Sequence, residues 1–182
     1  SFNFNWRTTS DTEVLLNYYI AKGKLALKEL RGMFSFLIVD RKKKDVFVAR
    51  DQLGVKPLYY FEDKDKIYFA SEIKAFKLIT NFSINENAIF EQINFRYVAG
   101  KQTIYKNVFR LNAGELCLID SLNIKFEKYF DFSKTFSNKT KYAENKLLDL
   151  LNNSIIKQTI SDVGYSVQLS GGLDSSYITA IL

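Results

Sequence analysis

The residue types that this sequence lacks exclude several classes of protein. Its 182 residues include no histidine, one cysteine and one proline, and no apolar run approaches the roughly 20 residues of a membrane-spanning helix. A single cysteine excludes an intrachain disulfide and fits a reducing compartment. With a hydrophobic content of 47%, these absences lead us to expect a folded, cytoplasmic protein with no membrane partner.

The one cysteine, Cys117, is interpreted as structural. It lies inside an apolar run at residues 115–119, and the chain has no histidine that could act as its base. A buried cysteine ordinarily packs as a small apolar residue. We therefore assign it no catalytic role.

A net charge of +6 raises the question of a nucleic-acid partner. The only tight basic run is residues 41–44, which lies between the apolar segments 34–39 and 46–49. A hairpin tip in that position is charged to stay solvated, whereas a nucleic-acid footprint combines a basic face with stacking aromatics. We expect no nucleic-acid partner.

Hydrophobic periodicity predicts two regions of different character, with a polar boundary near residues 132–138. Helices are expected at residues 11–21, 85–93 and 142–160. Strands are expected at residues 33–39, 46–49, 58–61, 67–70, 114–119, 124–130 and 163–169. Ser10 is the expected N-cap of the first helix, and Gly23 its end.

The most informative segment is the small-residue loop at residues 169–176. Adjacent glycines let the backbone bring its N–H groups close to an anion, and Ser175 and Ser176 would begin a helix whose positive end faces that anion. Asp174 adds a carboxylate for a nucleotide-bound Mg²⁺. The candidate ligands of ATP and pyrophosphate are Ser170, Gly171, Gly172, Asp174, Ser175 and Ser176. The alternative is a plain Gly-Gly turn between a strand and a helix.

This loop resembles the pyrophosphate-binding loop of ATP pyrophosphatases, which several families share. Four upstream blocks select among these families: residues 9–16, 30–36, 50–60 and 69–75. In order and spacing they resemble the glutaminase domain of glutamine-hydrolysing asparagine synthetases, over nearly the whole chain. The block 50–60 is interpreted as scaffold, because its glycine and proline are adequately explained as turn residues.

The resemblance implies two incomplete domains. Residues 1–135 would be the C-terminal part of a class II glutamine amidotransferase domain, an α+β N-terminal-nucleophile sandwich with antiparallel sheets between helix layers. Residues 136–182 would begin an α/β nucleotide-binding synthetase domain. The nucleophilic N-terminal cysteine, the oxyanion loop and a carboxylate-binding arginine would lie upstream of Ser1. We therefore expect an internal fragment that is inactive by itself.

For the intact enzyme the resemblance implies three linked reactions. Glutamine is hydrolysed to glutamate and ammonia, and the ammonia moves internally to the second domain. There ATP with Mg²⁺ adenylates aspartate and pyrophosphate leaves. Ammonia then attacks the acyl-adenylate, giving asparagine and AMP. By the same resemblance Asp11 would accept hydrogen bonds from the α-amino group of glutamine. A carboxylate directly after Ser10 could equally be a favourable charge at a helix N-terminus. Assembly as a homodimer is left open.

One departure from the family pattern keeps other functions open. The family usually shows Asp-Val-Pro and an apolar strand before the loop, whereas this chain has Gly164 after Asp162-Val163, and a polar Gln168. A paralogue that amidates another carboxylate, such as a sugar acid of a surface polysaccharide, is one alternative. A nucleic-acid-modifying ATP pyrophosphatase and a catalytically inactive interaction module are two more.

Overall fold

A computed structural model describes residues 4–135 and 144–182. The chain divides into two compact units, Ser1–Thr135 and Phe136–Leu182. Within the described residues, no helix has both the length and the apolar character needed to cross a bilayer.

In the first unit, the described residues 4–135 contain three α-helices, two 3₁₀ helices and seven strands. The α-helices are α1 (Asp11–Lys22), α2 (Glu86–Phe95) and α3 (Phe132–Thr135), and the 3₁₀ helices are Gly23–Lys28 and Ile73–Leu78. The strands are β1 (Ser35–Asp40), β2 (Asp45–Arg50), β3 (Tyr59–Asp63), β4 (Lys66–Ala70), β5 (Val108–Arg110), β6 (Glu115–Ile119) and β7 (Ile124–Lys128).

Local capping sets the limits of the two longer helices. The Ser10 side chain accepts a hydrogen bond from the Thr12 N–H at 3.2 Å, and Gly23, with φ of 57°, ends α1, as the sequence predicts. Asn85 caps α2 through the Ala88 N–H at 3.4 Å. Arg96 ends α2 in the left-handed conformation, with φ of 62°.

The strands form two antiparallel sheets, in the orders β1-β2-β6-β7 and β4-β3-β5. Hairpins join β1 to β2 through the basic turn at 41–44, as predicted, and β3 to β4 through a polar turn. β5 is a strand that the sequence analysis missed, because three residues are too short for periodicity to reveal. Tertiary pairing creates it: Val108 lies opposite Phe61 of β3.

Aromatic and aliphatic side chains join these elements into layers. On one face of the four-stranded sheet, Tyr19 of α1 stacks on Phe47 with ring centroids 4.7 Å apart. On the opposite face Phe126 meets Tyr60 of the second sheet at 5.1 Å. The far face of the second sheet packs Phe61 against the 3₁₀ helix at 73–78 and against Phe82. The predicted sandwich of two antiparallel sheets between helical layers is confirmed.

In the second unit the structure describes two helices, α4 (Glu144–Lys157) and α5 (Leu173–Ile181). They are tied together by the Tyr177 hydroxyl, which donates to the Asn152 carboxamide oxygen at 2.9 Å. α4 agrees with the helix predicted at 142–160, except that it ends at Lys157 and that residues 142–143 lie outside the described residues.

The strand predicted at residues 163–169 is wrong, because these residues form no strand. Val163 is 74% exposed, and the other apolar residues of the segment are also accessible. A strand needs the backbone groups of a neighbouring strand, and the described residues of this unit offer only two helices. Apolar residues alone therefore do not make a strand here.

Candidate functional site

Asp11 is the first residue of α1 and lines an open cavity of about 470 Å³ in the first unit. The start of α1 forms one side, and residues 30–36 with Lys56 supply the rest. Asp11 is exposed, and the hydroxyl of Thr12 donates to its carboxylate at 3.3 Å. Its carboxylate is therefore free to meet a solute in the cavity.

Glu13, in the first turn of α1, fixes the chain that leads into the helix. Its carboxylate accepts hydrogen bonds from the backbone N–H groups of Arg7 at 2.9 Å and Thr8 at 2.7 Å, and from the Thr8 hydroxyl at 2.6 Å. The Thr8 side chain and then the Arg7 N–H lower the pKa of Glu13 below its ordinary value. Glu13 anchors the helix start, which leaves Asp11 available for binding.

Two cationic side chains, Arg31 and Lys56, line the same cavity as Asp11. Neither residue stands out in the sequence, since both lie 20 or more residues from Asp11 and only the fold brings them to the same cavity. One carboxylate and two cations offer opposite charges to the ammonium and carboxylate of an α-amino acid. The cavity is suited to a small zwitterion.

Asp51 holds two parts of the cavity wall together. One of its oxygens, Oδ2, accepts from the backbone N–H of Phe34 at 3.3 Å and of Lys56 at 3.0 Å, both residues of the wall. Its own N–H donates to the Phe34 carbonyl at 2.8 Å. The neighbouring Gln52 adds a third link, from its side-chain amide to the Leu30 carbonyl at 3.0 Å.

The other oxygen of Asp51, Oδ1, accepts from the N–H groups of Leu53 at 3.1 Å and Val55 at 3.0 Å. Asp51 is only 1% exposed. Burial by itself would raise its pKa, but the four backbone donors outweigh burial and hold the pKa below the ordinary value of 3.8. Asp51 is thus an ionised, fully bonded support of the loop.

Arg50 supports the same loop from its other side. Its guanidinium donates to the carbonyls of Lys56 at 2.7 Å, Leu111 at 2.6 Å and Gly54. Its own carbonyl accepts from the Tyr129 hydroxyl at 2.7 Å. The interpretation of the block 50–60 as scaffold agrees with these contacts, because both charged side chains bond to backbone groups.

The candidate phosphate loop in the second unit turns at Gly171, whose φ is +81°. Helix α5 begins at Leu173 with Gly172 as its N-cap, two residues before the predicted start at Ser175. The first helical hydrogen bond is donated by the Ser176 N–H to the Gly172 carbonyl at 3.0 Å. The preceding N–H groups of the first turn therefore remain available to an anion.

Serine hydroxyls brace this loop from within. The hydroxyls of Ser170 and Ser175 lie 3.0 Å apart, and Ser175 also donates to the Gly172 carbonyl at 3.1 Å. Asp174 is exposed in the first helical turn. The described residues contain no cluster of three or more acidic, histidine or cysteine side chains. A cation at this loop would therefore depend on Asp174 and on the anion itself.

Cys117 is fully buried in β6, as predicted from its position in an apolar run. Burial, followed by the charges of Glu115 and Glu62, raises the pKa of its thiol to about 12. A thiol in that state is not a nucleophile near neutral pH. Cys117 fills the core between the two sheets.

Comparison with known proteins finds similarity to two families along the chain. Residues 2–130 match the family described as glutamine amidotransferase domain, and residues 146–182 match asparagine synthase. A putative glutamine-hydrolyzing asparagine synthetase 2 of Methanocaldococcus jannaschii is 34% identical over the whole of this chain, which spans 36% of that relative. Asparagine synthetase B of Escherichia coli is also 34% identical, over 98% of this chain and 28% of its own length.

A solved structure supports the fold of the first unit. The allosteric regulatory enzyme of purine biosynthesis is similar over 70% of this chain and 23% of its own, with a TM-score of 0.50 and 24% sequence identity. The family match over residues 2–130 covers the antiparallel sandwich, and the match over residues 146–182 covers the loop at 170–176. The chain therefore belongs to the glutamine amidotransferase domain family, in the arrangement found in glutamine-hydrolysing asparagine synthetases.

Proposed function

We propose that this chain is part of an ATP-dependent, glutamine-hydrolysing asparagine synthetase. The enzyme would convert aspartate, glutamine and ATP into asparagine, glutamate, AMP and pyrophosphate through an acyl-adenylate. The observation that carries the proposal is a zwitterion-sized cavity beside Asp11 in a chain that also holds the loop at 170–176. The cytoplasm as location and a homodimer as assembly are further predictions of this proposal.

In the first unit the proposed role of Asp11 is to bind the α-ammonium group of glutamine. A charge-assisted contact of this kind is stronger than a neutral hydrogen bond. Arg31 and Lys56 would add positive charge on the carboxylate side of the substrate. Asp51 would act through the backbone of Phe34 and Lys56, by keeping the cavity wall in place.

In the second unit, the backbone of the loop at 170–176 has a geometry that suits a nucleotide phosphate. Gly171 has nothing within 4 Å of the position a Cβ would occupy, so an anion can approach the turn closely. The proposed pyrophosphate ligands are Ser170, Gly171, Gly172, Ser175 and Ser176, with Asp174 facing the Mg²⁺. When bound, ATP would supply the adenylyl group that activates the carboxylate of aspartate, and the metal would neutralise the charge of the leaving pyrophosphate.

The glutaminase nucleophile is not among these residues, because the only cysteine is the buried Cys117. The 182 residues alone are expected to release no ammonia from glutamine above a buffer control. Ammonia release that Cys117→Ala abolishes would contradict both the proposal and the structural role of Cys117.

The decisive experiment uses the complete enzyme that carries this chain. With glutamine labelled with ¹⁵N in the side-chain amide, plus aspartate and ATP, the label is expected in asparagine, together with equimolar AMP and pyrophosphate. Formation of ADP in place of AMP would refute the adenylation chemistry. Transfer of the label to another carboxylate, with none in asparagine, would refute aspartate as the acceptor.

A further inference from the structure

A second cleft, of about 340 Å³, lies in the first unit apart from the cavity at Asp11. It is lined by Arg50, Leu53, Gly54, Gly100, Arg110, Asn112 and Ala113. Arg50 is only 7% exposed, whereas Leu53, Gly100 and Ala113 at the opening are exposed. The described lining residues thus place two guanidinium groups in the cleft and no carboxylate.

Both guanidinium groups are held by carbonyl oxygens. Arg50 makes three such bonds, and Arg110 donates through one nitrogen to the carbonyls of Val98 at 2.9 Å and Gly100 at 2.7 Å. A guanidinium carries five N–H groups. Both side chains therefore keep N–H groups that have no partner among the described residues, while their positions are already fixed.

The positive charge of the cleft is not neutralised by the described residues. Neither arginine forms an ion pair there, and the adjacent Asp51 carboxylate is occupied by four backbone N–H groups. Burial, and next the charge of Arg110, lower the pKa of Arg50 below its ordinary value, with Asp51 and Tyr59 opposing the change. The two cations repel each other, so an anion between them would be stabilised.

Gly54 leaves the space that the Arg50 guanidinium occupies. Its φ is +64°, and a Cβ at this position would lie 3.0 Å from Cζ of Arg50 and 3.2 Å from the Ala113 Cβ. Any other residue would be strained and would press on the guanidinium. The loop therefore carries a glycine at the point where the Arg50 side chain crosses it.

We propose that this cleft binds a small oxyanion, a phosphate or carboxylate group, between Arg50 and Arg110. Planar guanidinium groups match both anions through paired N–H donors. A volume of about 340 Å³ is that of a small-molecule site and leaves no room for a polymer. The cleft shares no lining residue with the Asp11 cavity, and anion binding there does not depend on the proposed synthetase activity.

Calorimetric titration of the protein with inorganic phosphate and with acetate, at constant ionic strength, tests the site. Saturable binding of at least one anion is expected, with a dissociation constant of about 1 mM or lower. Arg110→Gln should weaken it about tenfold or more, whereas the control Arg41→Gln, which removes the same charge from an exposed turn, should leave it unchanged. Preference for phosphate or acetate identifies the ligand class. No saturable binding, or equal losses in both variants, would overturn the proposal.

A second pair of variants avoids any dependence on the folding of Arg110→Gln. Leu53, 69% exposed, lines the opening of the cleft, and Val55, 52% exposed, lies two residues away outside the lining. Leu53→Glu places a carboxylate beside the guanidinium groups and should weaken anion binding severalfold, whereas Val55→Glu should not. Equal effects of the two substitutions would show that only net charge matters and would refute the site.

Discussion

The two candidate sites of this chain are built in different ways. The wall of the Asp11 cavity depends on long-range bonds: Asp51 reaches the backbone of Phe34, 17 residues away in sequence. The loop at 170–176 depends on neighbours, such as Ser170 and Ser175, five residues apart. The cavity therefore needs the whole sandwich, whereas the loop conformation needs little beyond its own glycines and serines.

This difference predicts how each site fails. A change in the buried network around Asp51 should lower the stability of the first unit and distort the cavity together, because the same bonds serve both. A change in the exposed loop should alter nucleotide chemistry with little effect on folding, because few tertiary contacts depend on it.

The largest effect on activity is expected from Asp174→Asn in the complete enzyme. Loss of the charge that we propose to face Mg²⁺ should slow ATP cleavage about 100-fold or more, while basal glutamine hydrolysis is largely kept. Pyrophosphate release and ammonia release from the same preparation measure the two activities. Pyrophosphate release at the wild-type rate would remove Asp174 from the site.

The largest effect on stability is expected from Asp51→Ala. The substitution leaves four backbone N–H groups without their acceptor. Solvent cannot easily replace that acceptor, because Asp51 is only 1% exposed. The free energy of unfolding of the first unit should fall by about 3 kcal/mol or more. Urea unfolding followed by circular dichroism measures it, and the exposed Asp174→Ala is the matched control, with a change below about 0.5 kcal/mol.

Much of the first unit could be predicted from sequence because its signals are local. Alternating apolar residues mark β1, β2 and β6, and Ser10 and Gly23 limit α1 by capping. Asp11 was selected through its sequence block; the structure places it in the wall of a cavity, and its binding role stays a prediction. Arg31 and Lys56 were missed, since only tertiary structure brings residues 31 and 56 to the cavity that Asp11 lines. The block 50–60 was interpreted as scaffold, but the bonds from Asp51 to the cavity wall could not be read from the sequence.

In the second unit the sequence predicted an element that the structure does not contain. The apolar segment 163–169 has the composition of a buried strand, yet it forms none, because pairing partners decide whether such a segment is a strand. The start of α5 was placed two residues late for a different reason. Ser175 and Ser176 are good capping residues, but Gly172 already has the extended N-cap conformation, with φ of −75° and ψ of 163°.

Asp11→Ala tests whether the cavity binds glutamine. In the complete enzyme this change should weaken kcat/KM for glutamine by about 2 kcal/mol or more, because a charge-assisted contact is removed and its partner is left unpaired. Synthesis from added ammonia should survive, since it bypasses the cavity. If Asp11 only stabilises the start of α1, the loss stays below about 1 kcal/mol and appears in stability alone.

The depressed pKa of Asp51 predicts a specific acid sensitivity. A carboxyl group whose pKa is lower in the folded state adds stability above its unfolded pKa and loses it as the pH falls through the folded value. The stability that Asp51 contributes should therefore be present at neutral pH and decline below the ordinary value of 3.8. The unfolding free energies of the wild type and of Asp51→Asn should therefore converge as the pH falls below 3.8. A constant difference between them from pH 7 to below pH 3 would exclude this linkage.

The smallest effect is expected from Gly171→Ala, which tests whether the local conformation of the loop matters for binding. Its φ of +81° is costly for any residue with a Cβ, although there is open space around the site, so the strain is conformational and amounts to about 1 kcal/mol. The affinity of the complete enzyme for ATP should fall by about fivefold, with unfolding barely changed. Gly164→Ala is the matched control, because Gly164 also lies in open space but lacks a positive φ, and it should leave ATP affinity within about twofold of the wild type. If both variants behave alike, the left-handed turn at Gly171 is not what positions the N–H groups of the loop.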